Sequence, residues 1–318
     1  MTTRQDADVT PAARSRGATL RKAIVKHRWH YAFLLPMLVL FLVFELWPII
    51  ATGLYSLYDW DGFGPLQEYI GLDNYAEILS DSAFWGAFGH TFTFTGAFLL
   101  VLLPLAFLLA LVLNNQALLG RNVYRVLFFL PVVSTTAVVG VVFVVLLSPL
   151  DGPLNLALTE TGLAAKPVNF LGSDSLALPS VIAVDIWKNF GIILVYWIAA
   201  LQIVPRDLLE SAEVDGANRW QSLRHVTIPS LLPLAGVIVL LTTVQSFHAF
   251  DIVQTMTAGG PGGASDIVQT YIYRTAFNPA QFEPRYGLAS AAALAFGLAV
   301  ALIAAVQHII ANRIRKRS

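Results

Sequence analysis

The sequence predicts an all-α, polytopic membrane protein with six transmembrane helices and both termini in the cytoplasm. Three observations carry that expectation. Of the 318 residues, 56% are hydrophobic and only 13% charged, too little polar surface to cover a soluble globule of this size. Six apolar runs are long enough to cross a hydrocarbon core, which takes about 20 residues of helix. Lys and Arg are also shared very unequally among the loops between those runs.

The runs lie at 31–57, 85–113, 124–148, 176–203, 231–256 and 286–311. The first is far longer than a removable signal core of about 7–15 residues, so it is expected to stay as a span. Prolines at 36, 48, 104, 131, 179 and 233 fall within or at the starts of runs. Transmembrane helices tolerate them because neighbouring helices can satisfy the freed backbone groups. The chain divides into a basic tail at 1–30, a first span with an acidic outer loop at 31–84, a core of five spans at 85–311 and a basic tail at 312–318. Sixteen of the 20 Lys and Arg residues fall in the two tails and the loops after spans two and four. The opposite loops hold only Lys166, Arg274 and Arg285, and Lys188 lies within a span. The positive-inside rule then places both tails in the cytoplasm, as an even number of spans requires.

Several chemistries are missing from the sequence. Cysteine is absent, which excludes disulfides and thiolate sites. No zinc-protease pair, phosphate-cradling glycine loop or nucleophile elbow occurs. Net charge is zero, so nothing points to nucleic acid.

The loop between spans four and five, 205–229, is amphipathic and charged. Leu208, Leu209, Ala212, Val214, Ala217, Trp220 and Leu223 recur at roughly helical spacing, and Gly216 interrupts them as a bend between two short helices would. Such a bracket on one face of a membrane protein is expected to be gripped by a soluble partner. Glu210 and Asp215 are expected to hold it by capping or by pairing with basic groups, while Trp220 and Leu223 supply contact area. The outer loop at 58–84 carries six acidic residues and no basic one, which fits either a solvated loop or one that docks an outside partner. The loop at 257–285 opens on a glycine-rich turn and then has apolar and aromatic content enough to fold back toward the membrane.

Polar residues inside spans mark what passes through, because a charge near the bilayer centre is costly. Asp185 and Asn189 share one face of span four, and Ile192 continues it. Lys188 leaves two readings open for Asp185, an ion pair within the helix or a ligand contact. Span five carries Gln245, His248 and Asp251 at three-residue intervals with Phe247 and Phe250 between them, a mixture of rings and polar ends that suits a sugar. In span six, Ala289, Ala293, Gly297, Ala301 and Ala305 form a stripe of small residues that would let another helix approach.

Glu210-Ser211-Ala212, Asp215-Gly216-Ala217, Ile228-Pro229 and Leu232-Pro233 together resemble the EAA loop of permease subunits in binding-protein-dependent ABC importers, with Ser211 standing for the first Ala. The Thr257–Gly262 and Tyr271–Phe277 stretches are similar to the sugar-importer, maltose-permease-like branch, and the resemblance spans roughly residues 30–312. It implies the type I ABC importer permease fold in a bacterial or archaeal cell membrane. It further implies that Glu210, Ala212, Asp215, Gly216, Arg219, Trp220 and Leu223 couple to a cytoplasmic ATPase. Partners on this reading are a second six-span permease, a dimer of ATPase subunits and an extracytoplasmic solute-binding protein. The chain itself would be non-catalytic and hold no cofactor, ATP and Mg being bound by the ATPase. Carried over from the maltose branch, the substrate pathway falls on Asp185, Asn189, Ile192, Phe247, His248 and Asp251. The solute is expected to be a sugar or oligosaccharide, with a glycerol-phosphate-type solute or an ion-driven carrier as alternatives.

Overall fold

The computed structural model describes residues 28–66, 68–277 and 284–315. Most of the basic N-terminal stretch, together with Lys316 and Arg317, lies outside them. The chain forms two units, divided after Leu54. In the first, α1 (Arg28–Phe41) and α2 (Trp47–Tyr55) are joined by a π-helical turn, Leu42–Leu46.

In the second unit a short hairpin of β1 (Tyr58–Asp59) and β2 (Glu68–Tyr69) precedes α3 (Asp73–Ser80). Then come α4 (Ser82–Ala97), a π-turn at Phe98–Leu102 and α5 (Leu103–Asn114). Helices α6 (Arg121–Val133), α7 (Thr136–Leu146) and α8 (Pro153–Glu160) lead to α9 (Ala177–Leu201). After α10 (Arg206–Val214), α11 (Arg219–Ser222) passes through a π-turn, Leu223–Thr227, into α12 (Ile228–Ser246). The last elements are α13 (Phe250–Met256), α14 (Val268–Phe277) and α15 (Tyr286–Arg315).

Five helical runs are long and apolar enough to cross a membrane: Ala32–Tyr55, Ser82–Asn114, Ala177–Leu201, Arg219–Met256 and Tyr286–Arg313. The run expected at 124–148 as one helix is instead the pair α6 and α7, bent by 96°. Pro131 supplies no N–H to the carbonyl four residues back, and the chain leaves the helix three residues later with Ser134 and Thr135 both extended. Counting that pair as one broken span gives six.

The prolines explain the π-turns. Each of the three among the described residues ends two residues before a proline: Pro48, Pro104 and Pro229. In each, the carbonyl that loses its donor (Phe44, Leu100 or His225) belongs to the central residue of the turn. The proline ring also crowds that carbonyl, and widening the helix by one residue relieves both defects.

Helix α9 is the centre of the second unit. Fifteen of its 25 residues are buried, and it packs on α5, α6 and α12. The Trp197 indole stacks on Phe107 at 4.8 Å and donates to the Leu103 carbonyl at 3.2 Å. Gly191 allows α6 to touch α9 backbone to backbone: a Cβ there would stand 2.3 Å from the Phe128 carbonyl oxygen and 2.7 Å from Phe129 Cα. By contrast, nothing lies within 4 Å of the Cβ position of Gly297. Gly191→Leu is therefore expected to destabilise the chain by about 1–3 kcal/mol or more, as overpacking does. Gly297→Leu should leave thermal unfolding of the isolated subunit in detergent unchanged, and circular dichroism melts of the two variants make the check.

Candidate functional site

The bracket at 205–229 is built from local signals. Helix α10 ends at Gly216, whose φ of +79° a side chain rarely adopts. The Gly216 N–H reaches the Glu213 carbonyl at 3.0 Å and the Ala217 N–H the Ala212 carbonyl at 2.9 Å, the paired bonds of a glycine-terminated helix. Two residues on, Asn218 Oδ1 accepts from the Gln221 N–H at 2.9 Å, and Gln221 Oε1 accepts from the Asn218 N–H at 2.8 Å. This reciprocal cap starts α11.

Glu210 and Asp215 therefore do not hold the bracket as expected. Glu210 is exposed, Asp215 sits at the end of α10, and neither forms an ion pair among the described residues. The missed signal is Asn-x-x-Gln at 218–221, a capping pattern legible in the sequence. Ala212 and Leu223 are half-buried, while Arg219 is exposed. Leu223, Ala217, Arg219 and Leu209 line a cleft of about 350 Å³ on the inner side of the bracket. Trp220 is 66% exposed and Val214 88%, apolar surface turned away from the chain.

The second arm of the bracket is continuous with span five. Arg219–Met256 reads as one helical run, interrupted only where α12 stops at Ser246 and α13 resumes at Phe250. At this break Gln245, His248 and Asp251 are exposed, in line at three-residue spacing. His248 Nδ1 donates to the Val244 carbonyl at 2.8 Å. From α12, Gln245 Nε2 donates to Asn189 Oδ1 at 3.2 Å, and Asn189 Nδ2 donates to Asp185 Oδ1 at 2.8 Å. A polar chain thus runs from the exposed break to the buried carboxylate of α9.

Asp185 and Lys188 are both buried, yet they form no ion pair; Asn189, not Lys188, is the partner of Asp185. Ile192 is half-buried, one turn beyond Asn189. Phe247 departs from its neighbours. It is 7% exposed, with Phe296 at 5.7 Å and Phe92 at 6.4 Å, and so belongs to the core rather than to the face of His248 and Asp251.

The break is supported from outside. Gln269 Nε2 on α14 donates to the Phe247 carbonyl, one of the groups the helix end leaves open. Helix α14 is itself tied to α4: Thr91 Oγ1 accepts from the Val268 N–H at 3.0 Å, and His90 Nδ1 meets the Asp266 carbonyl at 2.9 Å. The buried Asp266 carboxylate pairs with Arg274 at 2.6 Å and accepts from Thr270 at 2.6 Å. Sequence reading missed Gln269, since no local pattern marks a side chain that caps a break 22 residues away.

The acidic outer loop is partly spoken for. Asp81 caps α4 through the Ala83 N–H at 2.8 Å and accepts from the Tyr271 hydroxyl at 2.6 Å. Burial, reinforced by that carboxylate, pushes the Tyr271 hydroxyl well above the usual phenol range. Glu77 holds Arg285 through both carboxylate oxygens, and the bonds from Arg285 lower the Glu77 carboxyl below its ordinary value despite some desolvation. Asp59, Asp61, Glu68 and Asp73 form no ion pairs among the described residues. Among the described residues, no group of three His, Cys, Asp or Glu side chains could hold a metal ion.

The chain as a whole is similar to known proteins. Residues 102–316 match the family model described as binding-protein-dependent transport system inner membrane component. The probable ABC transporter permease protein YurN of Bacillus subtilis is 35% identical over 78% of this chain and 85% of its own length. The trehalose/maltose transport system permease protein MalF of Thermococcus litoralis is 34% identical over 82% of this chain and 86% of its own. A chain in the crystal structure of a bacterial ABC transporter involved in the import of the acidic polysaccharide alginate is 29% identical, with a TM-score of 0.81 over 93% of this chain and 99% of that one. In a second structure, of the bacterial alginate ABC transporter in complex with its alginate pentasaccharide-bound periplasmic protein, the TM-score is 0.77 at 30% identity, over 93% of this chain and 96% of that one. The chain belongs to the family of inner-membrane components of binding-protein-dependent transport systems.

Proposed function

We propose that this chain is one of two permease subunits of an ATP-driven importer and forms, with its partner, the passage for a sugar or oligosaccharide delivered by an extracytoplasmic binding protein. One observation carries the reading: the arm beginning at Arg219 and the break carrying His248 and Asp251 lie on one helical run. A cytoplasmic ATPase dimer grips the bracket through the exposed Trp220 and its neighbours, and the run carries a rigid-body displacement to the break. ATP and Mg bind to that ATPase, and both termini of the permease lie on its side of the membrane.

The polar line of Gln245, His248 and Asp251 supplies hydrogen-bond partners for hydroxyls, and Phe250, with Tyr273 at 5.3 Å, supplies ring faces beside it. The sugar-handling names and substrates of the relatives support the same class of solute. Asp185, Asn189 and Ile192 act behind this line, Gln245 being the relay between the two helices. Family membership, rather than the intramembrane carboxylates, weighs against an ion-driven carrier.

Gly216→Pro fixes φ near −65° where +79° is required. It is expected to lower sugar uptake at least about tenfold in proteoliposomes while ATP hydrolysis continues, the loss equivalent to about 1.4 kcal/mol of coupling. Gly216→Ala, which strains the backbone by roughly 1–2 kcal/mol, should be intermediate. Uptake at the wild-type rate by the proline variant, at equal expression, contradicts the coupling assignment.

His248→Ala and Asp251→Asn are expected to raise the half-saturating sugar concentration about tenfold, the worth of a hydrogen bond to a charged or polar group, without shifting the melting temperature. Phe247→Ala should do the reverse, costing about 3–5 kcal/mol of stability as a buried aromatic does. Uptake titrations and melts on the same preparations separate the two roles.

A further inference from the structure

The end of the helices that carries the bracket holds a polar cleft of about 620 Å³. Arg121 and Arg125, one turn apart on α6, line it together with Arg206, the first residue of α10, and no carboxylate does. None of the three arginines has an ion-pair partner among the described residues. Asp207 and Glu210, the acids nearest Arg206 in sequence, are exposed and unpaired in the same sense. Three guanidinium groups around one concavity repel each other, and the carbonyl ends of α5 and α9, which also border the cleft, offset only part of that repulsion.

Arg125 adds a second observation. Its Nη2 donates to the Leu113 carbonyl at 2.8 Å, in the last turn of α5, while its Nε is buried without an acceptor. Two helix starts border the same space. Helix α6 follows Gly120 and α10 follows Pro205, and neither start has a side-chain cap for its first N–H groups.

We infer that this cleft binds a phosphate group, supplied by the headgroup of an anionic phospholipid or by a soluble phosphate. The planar donor forks of arginine match phosphate oxygens two at a time, and a tetrahedral group offers enough oxygens for three such forks. The cleft lies where the membrane-crossing runs Ser82–Asn114 and Ala177–Leu201 end, a depth at which basic pockets between helices take lipid headgroups. A phosphate held there joins α6 to α10 and so ties the first arm of the bracket to the membrane helices. The site requires no transport and stands apart from the sugar reading.

The test uses the whole assembled transporter. Native mass spectrometry counts phosphatidylglycerol retained from nanodiscs of phosphatidylcholine with and without that lipid, and equilibrium dialysis measures radiolabelled inorganic phosphate on delipidated complex. Wild type is expected to bind one of the two, and Arg121→Gln, whose side chain makes no hydrogen bond among the described residues, to weaken that binding about tenfold. Loss of retained lipid identifies the headgroup as the source; loss of bound phosphate identifies the soluble anion. Because Arg125 also caps α5, Arg206→Gln serves as the second variant and should match Arg121→Gln. The inference is overturned if wild type binds neither probe, or if both variants bind as wild type does.

Discussion

The structure depends on one constraint: within a hydrocarbon layer every backbone N–H and C=O must find its partner inside the protein. Most of the chain meets it with uninterrupted helix. The exceptions are informative because each has an identifiable remedy. Where Pro48, Pro104 and Pro229 withhold a donor, the preceding turn widens into a π-turn and the helix continues. At Pro131 the helix ends instead, and the chain turns by 96°. At the break in span five no proline intervenes, and the open Phe247 carbonyl is satisfied by Gln269 from another helix. A helix interrupted without a local cause, and repaired at a distance, is what a site for a polar solute requires: backbone and side chains turned toward a cavity instead of toward lipid.

The same helix explains how two ends of the molecule can act together. At one end it begins with the reciprocally capped Asn218 and Gln221, just past the left-handed Gly216. At the other it presents His248 and Asp251. The hydrogen bonds from Gln245 through Asn189 to Asp185 fasten its far end to α9, the most deeply buried helix. On the proposed reading, motion entering at Trp220 has one rod to follow and one well-anchored neighbour to move against.

Much of this was legible in the residues. The hydropathy runs located the membrane helices, and Gly216 marked the bend, because composition and backbone permissiveness are local properties. The broken third span was not legible, since Ser134 and Thr135 are ordinary in a membrane helix and Pro131 is a residue that other spans absorb. At the candidate site, the three-residue spacing of Gln245, His248 and Asp251 was visible, and all three are exposed. It could not separate Phe247 from them, because a helix break changes which side chain points inward. For Asp185, spacing left an ion pair with Lys188 and a ligand contact both open, and packing gives it Asn189 as its hydrogen-bond partner instead of the ion pair.

The central claim is that Arg219–Ser246 transmits displacement as a rod as far as the break. The chain has no native cysteine, so spin labels introduced at the exposed positions 187, 221 and 241 report without interference. Pulsed dipolar distances in the assembled transporter, compared between the nucleotide-free and vanadate-trapped states, test it directly. The account predicts an unchanged 221–241 separation, across the π-turn, and a 187–241 separation that shifts by a few ångström as span five moves against α9. A 221–241 distance that changes while 187–241 stays fixed would show the helix bending at its base, and the rod would not exist.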